Sequence, residues 1–140
     1  MKMRLILALL MVGALLCGIG EAAVVKGVSF AQGSNSTLIQ GSVIRGERDQ
    51  YFLTAKAGQK MEVSITSLEQ NAAFEIYQPG YKVGKDADGI LEIKGTALQG
   101  AGEFDDATAW KGDLPSSGKY LIIVGPIRGN ASYKLKIAIR

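Results

Sequence analysis

The chain has 140 residues, 47% of them hydrophobic and 21% charged, with a formal charge of +3 at neutral pH. That is the length and mix of one compact domain, with no room for a second, and the mildly basic, scattered charge argues against a nucleic-acid-binding stripe. Histidine is absent and Cys17 is the sole cysteine, so serine–histidine and cysteine–histidine catalysis and zinc sites with nitrogen or sulfur ligands are excluded.

The N-terminus reads as an export signal. Met1-Lys2-Met3-Arg4 is a basic start, and Leu5 to Ile19 is an almost unbroken apolar stretch too short for a comfortable membrane span. Small residues follow, which places the signal over residues 1–22 and the mature start near Ala23. The competing reading, a lipid anchor on Cys17, suffers from Leu16, since a lipobox wants a small residue before its cysteine. Loss of Lys2, Arg4 and Glu21 with the signal lowers the formal charge to +2 and removes the only thiol. No second apolar stretch follows, so no membrane span is expected after signal removal, and residues 23–140 are stabilised by their core alone, without a disulfide.

The mature part is punctuated by glycine and lacks helical periodicity. Two strands are predicted over Thr37–Arg45 and Gln50–Lys56, separated by the turn Gly46-Glu47-Arg48-Asp49. Ala57-Gly58-Gln59 makes the next turn, and Met61 to Thr66 then alternates apolar and polar residues with the period of a half-buried strand. Ala73–Gln78 is a short strand stopped by Pro79-Gly80. Lys82 to Gly89 is polar and reads as a loop. From Gly89 to Asp113 the pattern is ambiguous: "ILEIKG" fits a strand, "ALQGAGEFDDATAW" fits a strand, a helical turn or a loop, and Trp110 is expected to be at least partly buried.

Tyr120 to Val124 is apolar on both faces, so a second layer is needed on its outer side, supplied either by the Gly89–Asp113 segment or by a partner. Tyr133 to Ile139 alternates again. Short strands at regular spacing with turn signals between them predict an all-β fold, a single-domain antiparallel β-sandwich of about seven to eight strands.

Chemistry-bearing clusters are few. Asp86-Ala87-Asp88-Gly89 opens like a calcium loop, but residue 97 is not the acidic ligand an EF-hand requires. Carboxylate pairs, Asp86 with Asp88 and Asp105 with Asp106, are the residue types of glycosidase chemistry but equally of solvated loops. No cofactor, metal or enzymatic activity is implied.

The order "GSVIRGERDQYFLTAKAGQKMEVSIT", "FEIYQPG", "LPSSGKYLIIV" and a final "YKLKI" resembles two related bacterial secreted groups. These are the pre-peptidase C-terminal domain and the periplasmic inhibitor of goose-type lysozyme. Both are β-sandwiches, and the resemblance spans roughly Gly41 to Ile139. The chain is a signal segment plus one module, as stand-alone inhibitors are. It also carries the Ser-Gly-x-Tyr motif shared by several classes of lysozyme inhibitor, as Ser117-Gly118-Lys119-Tyr120, with a basic residue, Arg128, about one turn later.

The resemblance implies a non-enzymatic periplasmic protein whose partner is a lysozyme, goose-type or invertebrate-type, bound through Ser117, Gly118, Lys119, Tyr120 and Arg128. In that reading Ser117 bonds a catalytic carboxyl, Gly118 lets the backbone approach, Lys119 and Arg128 supply charge, and Tyr120 stiffens the loop from behind. The structural alternative for the motif is a turn whose tyrosine merely packs. The functional alternative is a pre-peptidase-like module for cell-wall glycan or protein, with Tyr77, Tyr81 or Trp110 stacking on sugars.

Overall fold

The computed structural model describes residues 23–140, and the proposed signal segment, with Cys17 and the cleavage site, lies outside the described residues. Ten strands follow one another: β1 (Val25–Gly27), β2 (Ser36–Val43), β3 (Asp49–Ala55), β4 (Lys60–Ser67), β5 (Ala72–Tyr77), β6 (Lys82–Lys85), β7 (Leu91–Lys94), β8 (Ala109–Asp113), β9 (Gly118–Pro126) and β10 (Ala131–Ile139). A single 3₁₀ turn, Leu68–Gln70, separates β4 from β5.

Eight strands form two four-stranded sheets, ordered β1-β3-β9-β5 and β2-β10-β4-β8, and β6 and β7 form a separate hairpin. Every pairing is antiparallel except β1 with β3. The sheets pack face to face as the alternating patterns require. Met61, Val63 and Ile65 of β4 and Tyr133, Leu135, Ile137 and Ile139 of β10 point into the core, while Lys60, Glu62, Lys134 and Lys136 face water. The first sheet answers with Tyr51, Leu53, Phe74, Ile76, Tyr120, Ile122 and Val124.

The sandwich thus has the expected eight strands, but the segment predicted as a loop, Lys82 to Gly89, contains β6. Its four residues, Lys-Val-Gly-Lys, are all exposed, so burial leaves no apolar alternation to read. Backbone pairing with β7 holds it in place. β1 was also invisible to pattern reasoning, being only three exposed residues long.

The doubly apolar β9 is explained by this hairpin. Tyr120, Ile122 and Val124 face the sandwich core, while Leu121 and Ile123 pack with Tyr77 on the opposite face, under Phe52, Tyr81, Leu91, Ile93 and Ala97. The covering layer therefore comes from the chain itself, largely from the ambiguous Gly89–Asp113 segment. Full burial of each of those two aliphatic side chains is worth about 1.5–3 kcal/mol. Trp110 is half-buried against the main core and its indole N–H donates to the Gln99 carbonyl at 2.9 Å.

One buried polar network crosses the sandwich. Asp49 of β3 is fully buried; its Oδ1 accepts the Val24 amide at 2.8 Å and its Oδ2 accepts the Tyr133 hydroxyl of β10 at 2.5 Å. The Tyr51 hydroxyl completes the chain at 2.5 Å from that of Tyr133. No buried side-chain polar atom is left without a partner among the described residues. Burial, then the bonds to Asp49 and Tyr51, hold the Tyr133 phenol well above the ordinary tyrosine range. Tyr51 is also raised, chiefly by burial. The phenol of Tyr133 reaches across to Gly41 of β2, where any Cβ would come within 2.5 Å of its oxygen. Residue 41 is glycine because the network occupies the space a side chain would need.

Candidate functional site

The Ser-Gly-x-Tyr segment forms one pole of the sandwich, where the β8–β9 connection meets the β3–β4 turn. Leu114 is buried and anchors the connection; its amide donates to the Gln59 carbonyl and its carbonyl accepts the Gly58 amide, both at 2.8 Å. Ser117 continues the stitching, its Oγ accepting the Ala57 amide at 2.8 Å. The serine is nevertheless exposed. With that bond already accepted, its own O–H remains available to donate outward.

Gly118 opens β9 with φ +141, and a Cβ there would lie 2.8 Å from the Pro79 ring. Both the backbone conformation and the close approach of the Pro79-Gly80 turn demand glycine. Lys119 is exposed, with its Nζ 5.7 Å from the Phe52 ring centroid. Such a cation–π contact is worth about 0.5–1 kcal/mol at an exposed site and steers the ammonium along the outer face of the first sheet.

Tyr120 is fully buried. Its hydroxyl donates to the Ser116 carbonyl at 2.7 Å and accepts from the Ser116 amide at 3.3 Å. Its ring belongs to the core while its oxygen clamps the backbone of the tip. Internal bonds therefore hold Ser116, Ser117 and Tyr120 in place before any partner arrives, while the Lys119 side chain stays exposed.

Further cations surround this pole. Lys56 lies in the β3–β4 turn, and Lys60 exchanges two backbone bonds of 2.9 Å with Arg140 at the end of β10. Lys60 also pairs with Asp113 at 3.3 Å, both side chains well exposed, a pair worth little in water. Lys56, Lys60 and Arg140 are exposed. Lys56 and Lys60 flank one turn, but Arg140 joins them only through the pairing of β10 with β4, which sequence inspection could not assemble.

Arg128 does not join this group. It follows the far end of β9, about 27 Å of extended strand from Gly118. There its backbone amide donates to Asn71 Oδ1 at 3.0 Å, its carbonyl accepts from Asn71 Nδ2, and its guanidinium donates to the Glu69 carbonyl at 3.2 Å. It lines an open groove with Arg45, Arg48 and Ile127. Arg48 also approaches Glu75 at 3.7 Å. The five residues singled out from sequence thus divide between the two ends of β9, four at one and Arg128 at the other.

The remaining candidates are absorbed by local structure. Asp86 Oδ1 accepts the amides of Asp88 and Ile90, both at 2.9 Å, which makes it the organiser of the β6–β7 turn. Tyr77, considered as a sugar platform, is buried under the hairpin with its hydroxyl donating to Glu75 at 2.8 Å. It has no face to offer a ligand; Tyr81 and Trp110 keep only part of theirs.

No family model and no curated relative matches this chain. Solved structures do. The PliG protein of Aeromonas hydrophila, a periplasmic inhibitor of g-type (goose-type) lysozyme, is 30% identical over 86% of this chain and 100% of its own, with a TM-score of 0.64. A mutant of Escherichia coli PliG is 25% identical over 85% of this chain and 100% of its own, with a TM-score of 0.59. Salmonella Typhimurium PliG is 25% identical over 83% and 98%, with a TM-score of 0.57. The sandwich and the near-complete overlap with the first of these proteins agree: the chain belongs to the PliG family of periplasmic inhibitors of g-type lysozyme.

Proposed function

We propose that this protein acts in the periplasm as a non-enzymatic inhibitor of g-type lysozyme, and that it does so by lodging the Ser116–Tyr120 tip in the enzyme's acidic cleft. The observation that carries this reading is the tip's pre-organisation: Tyr120 clamps Ser116, Ala57 holds Ser117, and Pro79 backs Gly118, while Ser117 and Lys119 stay exposed. Ordering a loose loop on binding costs about 0.5–1.5 kcal/mol for each immobilised side chain, and a stiff tip avoids that cost.

Ser117 keeps its O–H free while its oxygen accepts from Ala57, so it can donate to an ionised carboxylate. Such a charge-assisted bond is worth about 1.5–3 kcal/mol once water is excluded. Lys56, Lys119 and Arg140 around the same pole complement a cleft whose carboxyls carry out glycoside hydrolysis.

A second reading places the lysozyme at the Arg128 pole, and the convergence of Arg45, Arg48 and Arg128 around one groove favours it. The two separate cleanly. Wild type, Ser117→Ala and Arg128→Ala are assayed for inhibition of goose-type, chicken-type and invertebrate-type lysozymes, each variant with a thermal melt. Loss of inhibition only with a folded Ser117→Ala supports the tip. Loss only with Arg128→Ala moves the interface to the other pole. Action on the invertebrate-type enzyme extends the target range. Heat released on titrating cell-wall fragments alone, with no inhibition of any lysozyme, would instead make the protein a glycan-binding module.

A further inference from the structure

A sheet edge is a row of unpaired backbone donors and acceptors, and folded proteins blunt such edges by shortness, by charge or by a covering loop. This sandwich has four edges, and three are protected in those ways. β1 is only three residues long and carries Lys26. β8 is five residues long and carries Lys111 and Asp113. β5 is covered: Phe74 N–H donates to Ala107 O and Ile76 N–H to Ala101 O, both at 2.9 Å, and Ile76 O accepts the Leu98 amide at 2.8 Å.

The fourth edge has none of these devices. β2, Ser-Thr-Leu-Ile-Gln-Gly-Ser-Val, is eight residues long, with no charge and no proline. It pairs with β10 on one side, and among the described residues no strand or loop pairs with the other. Its solvent-facing residues are Leu38, Gln40 and Ser42, and the Leu38 side chain is left 57% exposed.

We propose that β2 is a self-association edge, pairing antiparallel with β2 of a second copy of this chain about a two-fold axis normal to the sheet. The second copy fits better than a foreign strand for two reasons. A strand without charge is its own complement, since neutral meets neutral at every position, whereas a charged partner would desolvate without gaining a counter-ion. Pairing across a two-fold axis also uses the same edge on both molecules, and because the three other edges are blocked, assembly stops at two copies.

The geometry of the pairing follows. A two-fold axis normal to the sheet keeps the solvent faces continuous, so even-numbered residues oppose even-numbered ones and Leu38 is covered by Gln40, Ser42 or Leu38 of the second copy. The β2-β10-β4-β8 sheet of each copy becomes half of an eight-stranded one. The antiparallel arrangement sends the two Ser117 poles to opposite ends, so both remain free; the inference does not depend on what those poles bind.

The test is sedimentation equilibrium of the protein purified from the periplasm of an expressing strain, over a thousand-fold concentration range. It is paired with L38K/Q40K, which places like charges across the axis, and with A109K, which adds a charge to the opposite edge. Wild type and A109K should approach twice the monomer mass at high concentration, and L38K/Q40K should raise the dimer dissociation constant at least about tenfold with its melting temperature preserved. A wild type that stays monomeric throughout overturns the proposal. So does a folded L38K/Q40K that dimerises as tightly as wild type, since the contact would then lie elsewhere.

Discussion

Replacing Tyr120 by phenylalanine separates the two roles that residue combines, because the ring stays in the core while the oxygen that clamps Ser116 is lost. The hydroxyl makes its bond to the Ser116 carbonyl at 2.7 Å at the margin of the core, where water can take its place. The stability cost is therefore chiefly the net value of that bond, about 0.5–1.5 kcal/mol, with the long 3.3 Å bond from the Ser116 amide adding little. For a domain of this size that lowers Tm by about 3–7 °C. The functional cost is separate. Ser116 regains freedom and must be ordered again on binding, at about 0.5–1.5 kcal/mol, which predicts an inhibition constant weaker by about two- to thirteen-fold at a temperature well below Tm. The assay is inhibition of g-type lysozyme alongside calorimetric melting of the same samples. A Tyr120→Phe protein with lowered Tm but wild-type inhibition would refute the reasoning, because a tip that loosens without consequence is not what the enzyme grips.

Gly118→Ala should be worse than Tyr120→Phe on both measures, since it strains a positive φ and drives a methyl to 2.8 Å from Pro79; a loss of about 2–3 kcal/mol in chemical denaturation is expected. Asp49→Ala leaves the Tyr133 hydroxyl and the Val24 amide without their acceptor inside the sandwich, and equilibrium unfolding in urea should show it less stable by about 2–4 kcal/mol. Stability should also fall in strong alkali. Tyr133, Tyr51 and Tyr77 hold their protons more tightly when folded than the unfolded chain does, so the unfolded state ionises first, near pH 10, and each further pH unit favours it by up to about 1.4 kcal/mol per tyrosine. Urea midpoints should be level from pH 7 to 9 and drop above 10. Tyr133→Phe should be weaker at pH 8 yet show a shallower alkaline decline, and an unchanged decline would remove that phenol from the account.

Strands with one wet face were legible because their burial follows the alternation, as in Met61 to Thr66 and Tyr133 to Ile139. The doubly apolar Tyr120 to Val124 announced a missing layer and pointed to the Gly89–Asp113 segment or a partner as its source, and Leu91, Ile93 and Ala97 of that segment supply much of it. β6 escaped because its residues are all exposed and only its backbone is engaged. The Asp49 network escaped for a different reason: one acid and two tyrosines gain meaning only when β3 and β10 face each other, and nothing local to either strand signals it. At the candidate site, the motif was visible as a short contiguous string. The separation of Arg128 from it was not, because eleven positions along a chain mean adjacency across a turn but opposite ends along a single strand, and β9 runs unbroken from Gly118 to Pro126.

The hairpin of β6 and β7 rests on the first sheet through a handful of apolar side chains and is not part of the interior shared by the two sheets. Its free energy of opening is therefore expected to lie below that of the whole molecule, through a form in which the sandwich is intact and Leu121 and Ile123 lose the cover of Leu91 and Ile93. Amide exchange should report this as two tiers of protection, with Val83 and Ile93 exchanging ahead of Ile122. A protease meeting this protein would begin at that flap, which makes the lifetime of the protein a property of its least secured ornament and not of its core.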